Sequence, residues 1–156
     1  MMHQSDFYRL RNGDFAQTAI LIAEKVLVNS DKLLILAPET ELTDLSFRLW
    51  SDKNDSFLAH GMGEDAVSDY ASIWLSSLAQ NNPISANHVM LTNGVSLEDF
   101  SVFKRVFNLF DGSSHIATEQ AREQWRNWSL HPEHLCRYFT QSQTGGWQQT
   151  ASNTKE

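Results

Sequence analysis

Leu33-Leu34-Ile35-Leu36-Ala37, closed by Pro38, is the stretch that decides the fold. An unbroken apolar run this short reads as a strand buried on both faces, and such strands belong to parallel sheets covered by helices on either side. Parallel strands need long crossovers, usually helical. The residues before the run supply one. Phe15, Ala19, Ile22, Ala23 and Val26 recur at helical spacing, which predicts a helix reaching about Asn29 with these side chains inward. Asn12-Gly13-Asp14 reads as the turn that starts it, with Asp14 as its N-cap. Asp6-Phe7-Tyr8-Arg9-Leu10 reads as an opening strand.

The same alternation continues after Pro38. Glu39 to Trp50 is predicted as a second helix, with Leu42, Leu45 and Leu49 inward. Ser56 to His60 reads as a short extended segment, and Ser72 to Ser76 and Asn87 to Leu91 as strands, with a break at Asn81-Asn82-Pro83. Leu97 to Lys104 is expected to be a short helix and Arg105 to Phe110 a strand. A last helix should begin near Ser113 or Ser114. Strand–helix alternation of this kind predicts a single three-layer α/β domain with a largely parallel sheet, Rossmann-like, over residues 1–140. Residues 141–156, rich in Gln, Ser, Thr and Gly, are expected to form a flexible tail, with Trp147 docked.

Composition narrows the function. The 156 residues are 41% hydrophobic and 11% aromatic, enough for a packed core. No apolar run approaches the roughly 20 residues that span a bilayer. The amino-terminal stretch lacks a basic segment followed by an apolar one, so a cytoplasmic location is expected. Cys136 is the only cysteine, which excludes an internal disulfide. The net charge is −7, against the basic footprint of most DNA-binding domains, so little direct nucleic-acid binding is expected. Charge is uneven along the chain. Residues 39–69 carry a net −6 and residues 101–156 a net +1, so an anionic partner should prefer the carboxy-terminal half.

Several catalytic arrangements are not supported. A phosphate-binding loop should sit at the first strand-to-helix turn, yet that turn is Arg11-Asn12-Gly13-Asp14, with one glycine and a carboxylate that repels phosphate. Gly61-Met62-Gly63, followed by Glu64 and Asp65, fails for the same reason. No cofactor or metal is therefore expected. The alternative is a small nucleotide-fold or metal-dependent enzyme built on His131, His134 and Cys136. A tetrahedral site there would need a further ligand such as His115. The plainer reading makes these surface histidines after Pro132 and a buried thiol.

The stretch Ala121-Arg122-Glu123-Gln124-Trp125-Arg126-Asn127-Trp128 is more specific. Residues three and four apart share a helical face, which sets Arg122, Trp125 and Arg126 side by side. Arginine holds a carboxylate through two parallel hydrogen bonds, and an indole is a rigid apolar wall. The trio suits a peptide that carries both an acid and an apolar group. The plain alternative buries Trp125 and Trp128 with Ala121 and Gln124, leaving two ordinary surface arginines.

Phe7-Tyr8, Leu49-Trp50, Ser56-Phe57-Leu58-Ala59-His60 and Ala121 to Arg126 follow one another in an order and spacing that resemble the chi subunit of bacterial DNA polymerase III holoenzyme, over roughly residues 6–128. The resemblance implies an α/β domain without a nucleotide site and a noncatalytic role in DNA replication. It implies a link between the clamp loader, reached through the psi subunit, and the acidic, Pro-Phe-ended carboxy-terminal tail of single-stranded-DNA-binding protein. On this resemblance Arg122, Trp125 and Arg126 hold the tail, and Trp50, Phe57 and His60 face psi. Two departures stand out. Family members commonly carry Tyr and Lys where this chain has Trp125 and Arg126. The segment after Trp128, with His131, Pro132 and His134, does not follow the family, which leaves the far wall of the tail pocket unassigned.

Overall fold

Strand β1, His3–Leu10, lies inside the sheet, between two later strands. The computed structural model describes residues 3–11, 15–51, 60–62, 71–95, 97, 99–144 and 146–152. The turn at Asn12-Gly13-Asp14 falls outside the described residues. Helix α1, Phe15–Val28, follows, and Ala19, Ile22, Ala23 and Val26 are buried as the periodicity requires, while Phe15 is half-buried. The helix ends through hydrogen bonds from Ser30 and Asp31 to the carbonyls of Leu27 and Val26, with Ser30 in the left-handed region at φ 60°. That is the position where glycine is usually found.

Strand β2, Leu33–Leu36, is buried at every residue. A 3-10 turn at Glu39–Glu41 leads into α2, Leu42–Ser51. Leu45 and Leu49 are buried and Leu42 packs at the edge of the same cluster. Strands β3 (His60–Met62), β4 (Ile73–Ser76), β5 (His88–Thr92) and β6 (Arg105–Asp111) follow, then α3 (His115–Ser129), β7 (His134–Gln141) and β8 (Trp147–Ser152). The order across the sheet is β3-β4-β2-β5-β6-β1-β7-β8. Every pairing is parallel except β7 with β8. Two cores result. One packs α1 and α2 on one face of the sheet, through Ile20, Ile22, Leu45, Leu33, Ile35 and Leu109. The other packs α3 and loops on the opposite face, through Phe7, Leu34, Leu36, Phe110, Ala121 and Trp128. This double covering explains why β2 has no polar residue. It is the expected three-layer α/β arrangement. No helix among the described residues is long and apolar enough to cross a membrane.

Three expectations need correction. In place of a helix over Leu97–Lys104 there is a single 3-10 turn at Phe100–Val102, because Phe103 is already extended on its way into β6. His134 is not a surface residue after a loop but opens β7 and is 3% exposed. Residues 147–152, expected in a tail outside the domain, form β8 and pair with β7, and Trp147 meets Tyr8 edge-on at 5.2 Å.

Candidate functional site

Helix α3 starts at a serine cap. The Ser114 side chain accepts a hydrogen bond from the Ala117 amide at 3.2 Å, satisfying one of the free donors of the first turn. The turn before it is tight. The Gly112 amide donates to the Leu10 carbonyl at 2.8 Å, and a Cβ on Gly112 would lie 2.7 Å from that oxygen. This fixes where the helix leaves the sheet. Its inner face carries Thr118, Ala121 and Trp128, all buried.

The trio read from the sequence comes together as the helical spacing requires. Arg122 and Arg126 are exposed and Trp125 is half-buried between them. The Trp125 ring is braced from below by Phe7, edge-on at 5.5 Å, and from the side by Tyr138 of β7, edge-on at 6.2 Å. Trp128, one turn on, takes the buried place against Phe7 at 5.6 Å. The plain alternative therefore holds for Ala121 and Trp128, while Trp125 keeps part of its ring at the surface. Arg122 donates to Glu119 at 2.9 Å in an exposed pair one turn apart. Such pairs contribute only about 0.2–0.5 kcal/mol, so a stronger acceptor displaces Glu119 easily. Arg126 stands in the last turn, where the helix dipole favours a cation. Leu130, four residues beyond Arg126, is 81% exposed and extends the surface with an apolar group.

Tyr138 is the residue that sequence reasoning missed. It stands beside Trp125 on β7, edge-on at 6.2 Å.

The second set of sequence candidates is spread differently. Trp50 belongs to α2, with its side chain outside the described residues, and Phe57 also lies outside them. His60 opens β3, and its Nε2 lies 2.8 Å from the Ser46 hydroxyl of α2, which ties that strand to the helix.

The histidine–cysteine cluster is divided between core and surface. His134 Nε2 lies 2.6 Å from the Ser5 hydroxyl, and its ring packs on Phe100 at 4.1 Å and Trp128 at 5.7 Å. Burial, aided by His3 and His131, lowers its pKa to about 4. Cys136 is fully buried, and burial pushes its thiol up to about 12, so it stays protonated and unreactive at neutral pH. His131 is exposed, with its ring against Phe100, and His115 stands exposed at the start of α3. Among the described residues no three His, Cys, Asp or Glu side chains are placed to hold a metal ion.

The fold and this site define a class: an α/β sheet protein that displays an arginine-flanked aromatic ring on the outside of its last helix. The model of the family described as DNA polymerase III chi subunit, HolC, matches residues 2–131, and the chain belongs to that family. Chi is an accessory subunit of the polymerase III holoenzyme, a replication assembly. Comparison with individual curated proteins gives no match.

Proposed function

We propose that this chain is a noncatalytic adapter of the replication machinery in the cytoplasm, holding the acidic, Pro-Phe-ended tail of single-stranded-DNA-binding protein on α3 and docking to the clamp loader through psi. The observation that carries the reading is the exposed Arg122–Trp125–Arg126 face, with the indole braced by Phe7 and Tyr138. A terminal Phe carries a ring and a carboxylate on one residue, and a guanidinium beside a rigid ring matches both. The weak Glu119 pair leaves Arg122 recruitable. Tyr138 closes the side of the pocket that faces β7. For the psi surface the supporting facts are fewer: the chain belongs to the chi family, and His60 is anchored to α2, the helix that carries Trp50. Residues Trp50, Phe57 and His60 are assigned to it on the family resemblance.

The test is a titration with a fluorescent copy of the host tail, alongside a version lacking the final Phe. Binding should require that Phe and weaken as salt is added. Arg122→Ala and Arg126→Ala should each weaken it by roughly 1–3 kcal/mol, the range for hydrogen bonds to a charged group. Affinity unchanged in both variants would reject the pocket.

A further inference from the structure

The opposite face of the sheet carries a second arginine–aromatic surface. There α1 and α2 pack over β2, β4 and β5. At the other end of the sheet, β1, β7 and β8 present Tyr8, Arg137, Phe139 and Trp147, all partly exposed. Beneath them Asp6 is fully buried. It accepts hydrogen bonds from Arg137 Nε and Nη2, both at 2.8 Å, and from Arg105 Nη2 at 2.5 Å. Two guanidinium groups thus face one carboxylate, a local excess of one positive charge. The Arg105 side chain is 33% exposed and lies over the Phe107 ring at 4.6 Å, and the Arg137 side chain is 28% exposed and lies over the Phe139 ring at 5.2 Å. Each guanidinium has five N–H donors and commits two to Asp6. Among the described residues the others have no partner. Strand β8 beside them is uncharged from Trp147 to Ser152. Tyr8, raised to about 12 chiefly by burial and then by Asp6, keeps its proton and adds no negative charge.

Ring orientation selects the occupant. Tyr8 and Phe139 are nearly parallel, 11° apart, with centroids at 5.0 Å, close to the ~4.8 Å spacing of neighbouring strands. They stand side by side on the sheet and show their edges outward. Aromatic edges carry the positive part of the ring quadrupole and favour carboxylate and carbonyl oxygens. A nucleic-acid base needs an open ring face. We propose that this face is a second docking surface for a carboxylate-bearing, apolar segment of a partner protein, separate from α3. It goes beyond the tail-binding reading and does not depend on it.

The experiment is calorimetric titration of the intact chain at low salt with the acidic, Pro-Phe-ended peptide as probe. Two peptides should bind per chain. Phe139→Ala and Trp147→Ala should weaken one of the two at least tenfold, and Arg126→Ala the other. These positions spare the Asp6 clamp, which Arg137→Ala would break. A single peptide per chain, lost in Arg126→Ala and indifferent to Phe139→Ala and Trp147→Ala, overturns this proposal and leaves the α3 site standing. A single peptide lost only in Trp147→Ala does the reverse, and no binding rejects both. A second readout avoids dependence on the folding of the variants at β7 and β8. In the Arg126→Ala chain the peptide should shift the NMR amide signals of Phe139 and Gln149, and shifts confined to α3 overturn the proposal. Displacement of the peptide from this face by oligothymidylate would overturn the choice of a protein partner.

Discussion

At the residue scale the decisive contrast is between Arg122 and Arg126. Both are exposed on one face of α3, but Arg122 is engaged by Glu119. Under the proposed tail binding, an incoming carboxylate displaces Glu119, which also repels it. Glu119→Gln should therefore tighten an acidic, Phe-ended peptide by about two-fold, the scale of an exposed helical pair, measured by the same fluorescence titration; weaker binding would mean that Glu119 positions Arg122 instead. Ser30 gives a second test. It holds φ 60°, in the left-handed region. Ser30→Gly should stabilise the chain by about 1 kcal/mol in urea unfolding, because only glycine adopts this region without cost. The trio was legible in the sequence because i, i+3, i+4 spacing depends on the helix alone. Tyr138 was not, because its place beside Trp125 depends on which strands flank β1.

At the element scale β1 is the hub, and Asp6 is its pin. The carboxylate ties β6 and β7, through Arg105 and Arg137, to the strand between them. Asp6→Ala leaves two half-buried guanidinium groups without their common partner. It should cost roughly 3–5 kcal/mol, the range for breaking a buried ion pair, read as a lower urea midpoint; a loss under 1 kcal/mol would show that water replaces the carboxylate. Gly112→Ala should also destabilise, by about 1–3 kcal/mol as for overpacking, since the clash is with the rigid Leu10 carbonyl. The elements covered on both faces or packed by one full stripe were readable: β2 from its apolar run, α1 from its periodicity, and α3 from Ser114 onward. Strands β7 and β8 were not. They lie at the end of the sheet, where β7 is only partly buried beyond Cys136 and β8 is exposed beyond Trp147, and there Arg137, Thr140, Gln148 and Gln149 break the hydrophobic signal. The expected helix at Leu97–Lys104 failed for another reason. Its apolar residues pack as a loop against the core, with Leu97 and Phe103 buried, and the chain must be extended before β6 can pair.

At the scale of the whole molecule, the histidine that resembled a metal ligand is a proton-linked weak point of the fold. His134 sits between the sheet and α3, held neutral by burial with a pKa of about 4, and His88 is shifted in the same direction, again chiefly by burial. The unfolded chain protonates an ordinary histidine near 6.5. Between about pH 6.5 and 4 the unfolded state therefore binds a proton that the folded state refuses. Stability must fall as pH falls through this window and level off, for this group, below about 4. From the two values, His134 alone should remove about 2 kcal/mol between pH 7 and pH 5. Carboxylate effects overlap at the acid end, so the informative quantity is the difference between wild type and His134→Phe. The Phe variant loses the Ser5 contact and starts from its own stability at pH 7, but its urea midpoint should decline less steeply from pH 7 to pH 5. Parallel declines would place the acid sensitivity elsewhere.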